Sequence, residues 1–234
     1  MVSQVSGQQD GGRRPRNPRG QGGRLRDELI GAARRLLSTA EQEADVSIRA
    51  VTREAGAAPQ SFYLQFASLD ELLYAVYAVE YEQLRQVLAR AADSAGDPQA
   101  RLAAVCTAYC RYAQEQPGCY RALTGVRGQP RHPEWDGRPL PGAPAFAVLL
   151  DAAAQALSAA GSPADPFLAA STLWAALHGL VTLRASRPAF PWPPLADMIT
   201  SIARQTLHTP ATSAGCRDDH PAASPATETH ARKP

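Results

Sequence analysis

From Arg24 the apolar residues Leu25, Leu29, Ile30, Ala33, Leu36 and Leu37 recur at steps of three and four, drawing one stripe along a helix that ends near Ala40, where EQEAD breaks the pattern. Ser47 suits the N-cap of a second, short helix to about Ala55, with Ile48 and Val51 inward and Arg49 and Arg53 outward. Gly56 marks its end, because glycine tolerates the left-handed conformation that closes a helix. Pro59 fits the first turn of the next helix, where a missing N–H is harmless, and Phe62 and Phe66, four apart, share one face of it. Ser68 followed by Glu71 makes a capping box that opens a long helix through Leu72, Leu73, Val76, Leu84, Val87 and Leu88 to about Ala92.

Beyond AGDP, Asp97 caps a helix carrying Leu102, Val105, Cys106, Tyr109 and Tyr112 that stops at Pro117-Gly118, and a short helix covers Tyr120 to Thr124. Residues 125 to 143 are rich in Gly, Pro and Arg and read as a loop. Helices resume over Ala145 to Ala160, from the Asp165-Pro166 cap to about Ser186, and from Pro194 to about Leu207. The last stretch, 209 to 234, has neither periodicity nor apolar mass and reads as a disordered tail. Almost nothing alternates in the manner of a strand, so the expected fold is all-α.

The 234 residues suffice for one large or two modest domains. The formal charge of +2 is unevenly spread: residues 1 to 26 hold Arg13, Arg14, Arg16, Arg19, Arg24 and Arg26 against Asp10 alone. Residues 1–23 therefore read as a disordered basic arm suited to a polyanion. No apolar run of about 18 residues and no signal-peptide core appear, so the expected location is cytoplasmic, with no membrane partner. Cys106, Cys110, Cys119 and Cys216 lack the pattern of a secreted disulfide scaffold and are expected as reduced thiols. Cys106 and Cys110 share a face, which raises thiol sensing or a metal site. No CxxC pair or ligand-spaced His supports a metal, and small buried hydrophobes remain the simpler reading.

Within AGAAPQSFYLQF a glycine turn leads into one turn of helix that buries two aromatics and leaves Gln60, Ser61 and Tyr63 outside. Two helices joined by such a turn are the ingredients of a helix-turn-helix, whose second helix enters the DNA major groove. The run VSIRAVTREAGAAPQSFYLQFASLDELLYAVY resembles the DNA-binding domain of the tetracycline-repressor (TetR) family of bacterial regulators, over Arg24 to about Tyr77. LWAALHGLVTLRASRP, with Trp174, His178 and Gly179, is similar to the C-terminal variant of that family named for a Trp, a His and a Gly. The resemblance implies a helix-turn-helix DNA-binding domain at 24–68 and an effector-binding and dimerisation domain at 69–208. It implies that Ser47 and Tyr63 grip phosphates, that Gln60 and Ser61 meet bases, and that Arg49 lies near the backbone or a base edge. Hydroxyls donate to phosphate oxygens, and a glutamine can engage adenine through both amide groups. Arg24, read as standing just before the first helix, would reach the minor groove or a phosphate with the arm.

The sequence also departs from the family pattern. Ala58 stands where a capping Ser or Thr is frequent, Gln65 where His is common, and Leu69 where a Lys usually opens the fourth helix. The resemblance assigns dimerisation to the last two helices, and Ala169, Ala170, Ala175, Ala176 and Gly179 are small enough for close packing. Tyr109, Tyr112, Phe146, Trp174 and His178 are the bulky or amphipathic groups of the C-terminal half and the candidates for an effector pocket, each with plain core packing as its alternative. The expected function is a homodimeric regulator of double-stranded operator DNA, a repressor released by a small-molecule effector. An activator or a constitutive binder stays open. An all-α enzyme lacks any HExxH, Walker loop or GxSxG, and neither catalytic residues, metal nor cofactor are expected.

Overall fold

The computed structural model describes residues 22–39, 46–124 and 138–207. The expected arm up to residue 21, the expected loop from 125 to 137 and the expected tail lie outside the described residues. Those residues form nine helices and no strand. In chain order they are α1 (Gly22–Thr39), α2 (Ile48–Glu54), α3 (Pro59–Phe62), α4 (Leu69–Asp93), α5 (Pro98–Glu115), α6 (Pro117–Thr124), α7 (Ala143–Ala159), α8 (Pro166–Ser186) and α9 (Leu195–Leu207).

The expected caps are in place. Ser47 Oγ accepts from the Ala50 amide at 3.2 Å and Ser68 Oγ from the Glu71 amide at 3.2 Å. The Glu71 carboxylate in return accepts from the Ala67 amide at 2.7 Å, one residue ahead of the cap itself. Asp97 Oδ1 takes the Gln99 and Ala100 amides and Asp165 Oδ1 takes the Leu168 amide. Each satisfies donors that the first turn of a helix otherwise leaves open.

Most boundaries fall within two residues of the reading of the sequence, and two differences bear on the sites. Arg24 lies inside the first turn of α1, not before it. Pro117-Gly118, read as a stop, opens α6: Gln116 leaves helical geometry at φ −124°, and its carbonyl then accepts the Tyr120 amide at 2.8 Å. Proline ends one helix and starts the next because both places dispense with its N–H.

One contiguous apolar core joins all parts. Leu29, Val51, Phe62 and Phe66 of the first three helices and their turn meet Leu72, Leu73 and Val76 at the start of α4. The core continues through Val105 and Cys106, Leu149 and Ala153, Leu173 and Leu177 to Ile199. A polar cluster crosses the same junction. The Arg34 guanidinium of α1 pairs with the Glu80 carboxylate of α4, which is 1% exposed, and also donates to Gln83 Oε1 at 3.2 Å. Beside it α6 closes on the end of α1, with Arg121 donating to the Ser38 carbonyl at 2.9 Å.

Helix α8 is long and apolar enough to cross a membrane by length and composition, with a mean hydropathy of 1.4. Its Leu173, Leu177, Leu180 and Val181 instead enter the core, while Leu168 and Leu183 are half exposed. A helix apolar all round with only one side covered has surface left for another partner.

Candidate nucleic-acid interface and sensing site

The turn after α2 is built by Gly56 at φ +63°, a conformation that side chains with a Cβ rarely adopt. It folds the chain back so that the Ala57 amide reaches the Thr52 carbonyl at 2.8 Å. Ala58 offers no side-chain cap, as its identity foretold, and Pro59 sets the first turn of α3. The winding continues past Phe62: the Leu64 amide bonds to the Ser61 carbonyl at 3.3 Å, and the Phe66 amide to the Phe62 carbonyl at 3.1 Å. Phe62 and Phe66, 0% and 1% exposed, fix this stub to the core. Arg26 of α1 lies over the Phe66 ring at 4.6 Å from its centroid.

Opposite the two phenylalanines the stub faces outward. Gln60 is exposed and Tyr63 is 63% exposed, its ring edge-on to Phe62 at 5.4 Å. Ser61 is half buried, less open than expected. Ser47 and Arg49, at the start of α2, are exposed. Arg24 is exposed too, but its guanidinium is held by Glu28 at 3.0 Å one turn on. It lines a groove of ≈ 730 Å³ between α1 and the end of α2 that includes none of the other five candidates. One residue of the outward face escaped the sequence reading. Leu64 is 77% exposed, and its four-residue step from Gln60 was the available signal.

In the C-terminal half the structure gathers four of the five pocket candidates around α8 and sends the fifth elsewhere. The Tyr120 hydroxyl lies 2.9 Å from the Tyr109 hydroxyl and 2.7 Å from His178 Nδ1, a chain linking α5, α6 and α8. Tyr120 was not singled out from the sequence, because its partner His178 is 58 positions away. One turn from His178, Trp174 meets Phe146 at 5.9 Å between ring centroids, and Phe146 in turn meets Phe167 at 5.6 Å. Trp174 is 48% exposed, so it lies at the surface of this aromatic group and is not a core filler. Tyr112 is not part of this group: it is buried at the α1–α4 junction, close to Glu80, Cys119 and Arg34.

Burial keeps the chain of hydroxyls and imidazole uncharged. It pushes the Tyr109 phenol up to about 12 and Tyr120 further, and it pulls His178 below its ordinary value. The same desolvation raises Cys106 and Cys110 to about 12, and Cys119 also upward, so all three are protonated thiols at neutral pH. That is the wrong state for a redox-sensing nucleophile. Among the described residues no three His, Cys, Asp or Glu side chains come together in a metal-binding group.

The small residues proposed for subunit packing divide by face. Ala169 and Ala170 are buried in the chain's own core, Ala176 is half buried and Ala175 is exposed. At Gly179 an added Cβ meets nothing within 4 Å, so that glycine is not demanded by packing inside the chain.

Residues 102–208 match the model of a family described as "Tetracyclin repressor-like, C-terminal domain". The whole fold is similar to a protein of unknown function from Rhodococcus sp. RHA1, at 24% identity and a TM-score of 0.63 over 78% of this chain and 93% of that one. It is also similar to a TetR family transcription regulator from Marinobacter aquaeolei VT8, at 18% identity and a TM-score of 0.63 over 81% and 98% of the two chains. A third is the transcriptional regulator FadR from Bacillus subtilis, solved in complex with stearoyl-CoA, at 12% identity and a TM-score of 0.63 over 78% and 97%.

Proposed function

We propose, from the match of residues 102–208 to the tetracycline-repressor-like C-terminal domain and from the fold shared with a TetR regulator, a homodimeric, cytoplasmic repressor of transcription, released from operator DNA by a small-molecule effector. The observation that carries the DNA-reading part is the stub of α3. Two fully buried phenylalanines anchor it, and Gln60 and Tyr63 project from the opposite side. A helix fixed this way holds its donors in register on a duplex. Gln60 and Ser61 meet base edges, while Ser47, Tyr63 and Arg49 hold the phosphates. Arg24 joins them only by leaving Glu28.

One short helix reads few bases, so useful specificity needs a second copy, with the two stubs about 34 Å apart on a palindrome. The outward stripe of α8, Leu168, Thr172, Ala175, Gly179 and Leu183, is the surface for that copy: its members recur at three- and four-residue steps and none is buried. The effector binds beside the neighbouring stripe, where Phe146, Trp174 and the Tyr109–Tyr120–His178 chain offer aromatic walls and uncharged polar anchors. Helix α6 supports a route from there to the DNA. Its Tyr120 bonds His178 and its Arg121 bonds the end of α1, while α4 runs alongside and supplies Tyr81, whose hydroxyl donates to the Leu123 carbonyl at 3.1 Å. Effector binding then shifts the population towards a dimer whose stubs no longer fit successive major grooves.

The test is a mobility-shift assay on the DNA flanking the chain's own gene, followed by a thermal-shift screen of metabolites. The screen includes acyl-CoA esters, since FadR of the same fold was solved with one. A shifted duplex that a stabilising metabolite releases is the expected result. A duplex bound equally with every stabilising metabolite present removes the effector from the proposal and leaves a constitutive regulator.

A further inference from the structure

Leu64 is the most exposed of the large apolar side chains among the described residues, at 77%, and it sits on the side of the stub turned away from the core. It follows Gln60 by four residues and Ser61 by three, and the 3.3 Å bond from its amide to the Ser61 carbonyl shows that the backbone is still winding there. The three residues therefore share a face, while Phe62 and Phe66 occupy the other. Tyr63 at 63% exposure adjoins it, so the apolar surface is a two-residue patch in the middle of the proposed reading surface. Among the described residues Leu64 is no part of the apolar core, and a polar residue there would leave that core untouched.

We infer that Leu64 is a specificity residue that recognises the C5-methyl group of a thymine. This rests on the DNA-reading proposal and extends it. In the major groove the thymine methyl is the one apolar feature on a base edge, and apolar side chains pack against it. Gln60, one helical turn away, is the residue type that takes adenine through its amide, and every adenine brings a thymine on the same groove edge. Side chains four apart are separated by roughly 5–6 Å. Successive base pairs are about 3.4 Å apart along the axis. Leu64 thus meets a methyl within one or two pairs of the adenine read by Gln60. The site selects an A/T step by two independent contacts, one polar and one apolar.

The experiment uses the full chain. Duplexes are selected from a randomised double-stranded pool, and the best is remade with deoxyuridine replacing each thymine in turn, which deletes the methyl and keeps every hydrogen-bonding group. Fluorescence anisotropy then gives Kd for the unmodified chain and for Leu64→Ala on each duplex. At one thymine per half-site the unmodified chain loses about fourfold for each methyl removed, the worth of one buried methyl group. Leu64→Ala, which truncates the contact in both half-sites, is weaker by about the square of that factor on the thymine duplex and indifferent to uracil at that position. If both proteins respond alike to every replacement while binding persists, Leu64 does not read a methyl and the inference is overturned, with DNA reading intact. Failure to select any duplex overturns both.

Discussion

Phe62 is buried and its neighbour Tyr63 is exposed and proposed to grip a phosphate, so substitutions there separate fold from the proposed recognition. Phe62→Ala empties a fully buried site and is expected to destabilise the chain by about 3–5 kcal/mol, measured by denaturant unfolding, with DNA binding lost in consequence. Tyr63→Phe keeps the ring against Phe62 and removes only the exposed hydroxyl. Unfolding should then be unchanged, while affinity falls by the same factor on every duplex sequence, as a phosphate contact requires. The burial of Phe62 and Phe66 and the exposure of Tyr63 were legible from the four-residue spacing of the two phenylalanines, whereas the phosphate role of Tyr63 came from the family resemblance. The Tyr120–His178 bond was not, because periodicity describes one helix and this bond joins two that are far apart in sequence. It has its own test. Burial holds His178 below its ordinary value, so as pH falls through about 6.5 the unfolded chain takes up a proton that the folded chain resists. Stability contributed by the neutral imidazole is present above that pH and lost as pH drops towards the folded-state value. His178→Asn keeps an acceptor for Tyr120 and cannot titrate, and its melting temperature should fall less than that of the unmodified chain between pH of about 7.5 and 5.5. Parallel falls in the two proteins would refute the assignment.

Among the elements, α6 shows how much can hang on one short helix. A Cβ on Gly118 would stand 2.7 Å from Ser38 Cβ and 3.2 Å from the Ser38 carbonyl oxygen, so backbone must move to admit it. Gly118→Ala is expected to destabilise by about 1–3 kcal/mol and to alter operator affinity, since the end of α1 is what moves. Gly96→Ala, where an added Cβ meets nothing within 4 Å, is the control and should stay within about 0.5 kcal/mol. Equal effects at the two positions would show that α6 does not bear on α1. From the sequence, Pro117-Gly118 read as a terminator, because local rules see the missing N–H and the absent Cβ but not the helix against which that absence is needed. The same limit applies to α8. Its length and cap were plain from Asp165-Pro166, yet a helix apolar on every side has no periodic stripe to say which side is core. The structure divides it three ways: Ala169, Ala170, Leu173 and Leu177 inward, Trp174 and His178 towards the aromatic group, and Leu168, Ala175 and Leu183 outward. The sequence reading had placed Ala169 and Ala170 on the subunit face; they lie in the chain's own core.

Across the whole molecule, charge is distributed against the proposed task, and this makes the arm decisive. Residues 1–21 hold Arg13, Arg14, Arg16 and Arg19 against Asp10, so residues 22–234 carry a formal charge of −1, three less than the full chain's +2. Several arginines of the described residues are also committed internally: Arg34 to Glu80, Arg35 to Glu54 at 2.7 Å, Arg24 to Glu28. Leu69 opens α4 where the family pattern has a lysine, which removes one more phosphate contact from the side proposed to face DNA. A remainder with no net positive charge gains little from counterion release by itself. Each phosphate neutralised contributes about 0.9 to the slope of log K against log salt. Deleting residues 1–21 should therefore lower that slope by about 0.9 for every arm arginine engaged. It should weaken binding most at low salt and leave the preferred duplex sequence unchanged, because Gln60, Ser61 and Leu64 remain. Anisotropy titrations over a series of potassium chloride concentrations, with and without the arm, read this directly. An unchanged slope would place the electrostatic contacts on the folded helices, whereas a changed sequence preference would mean that the arm reads bases as well as phosphates.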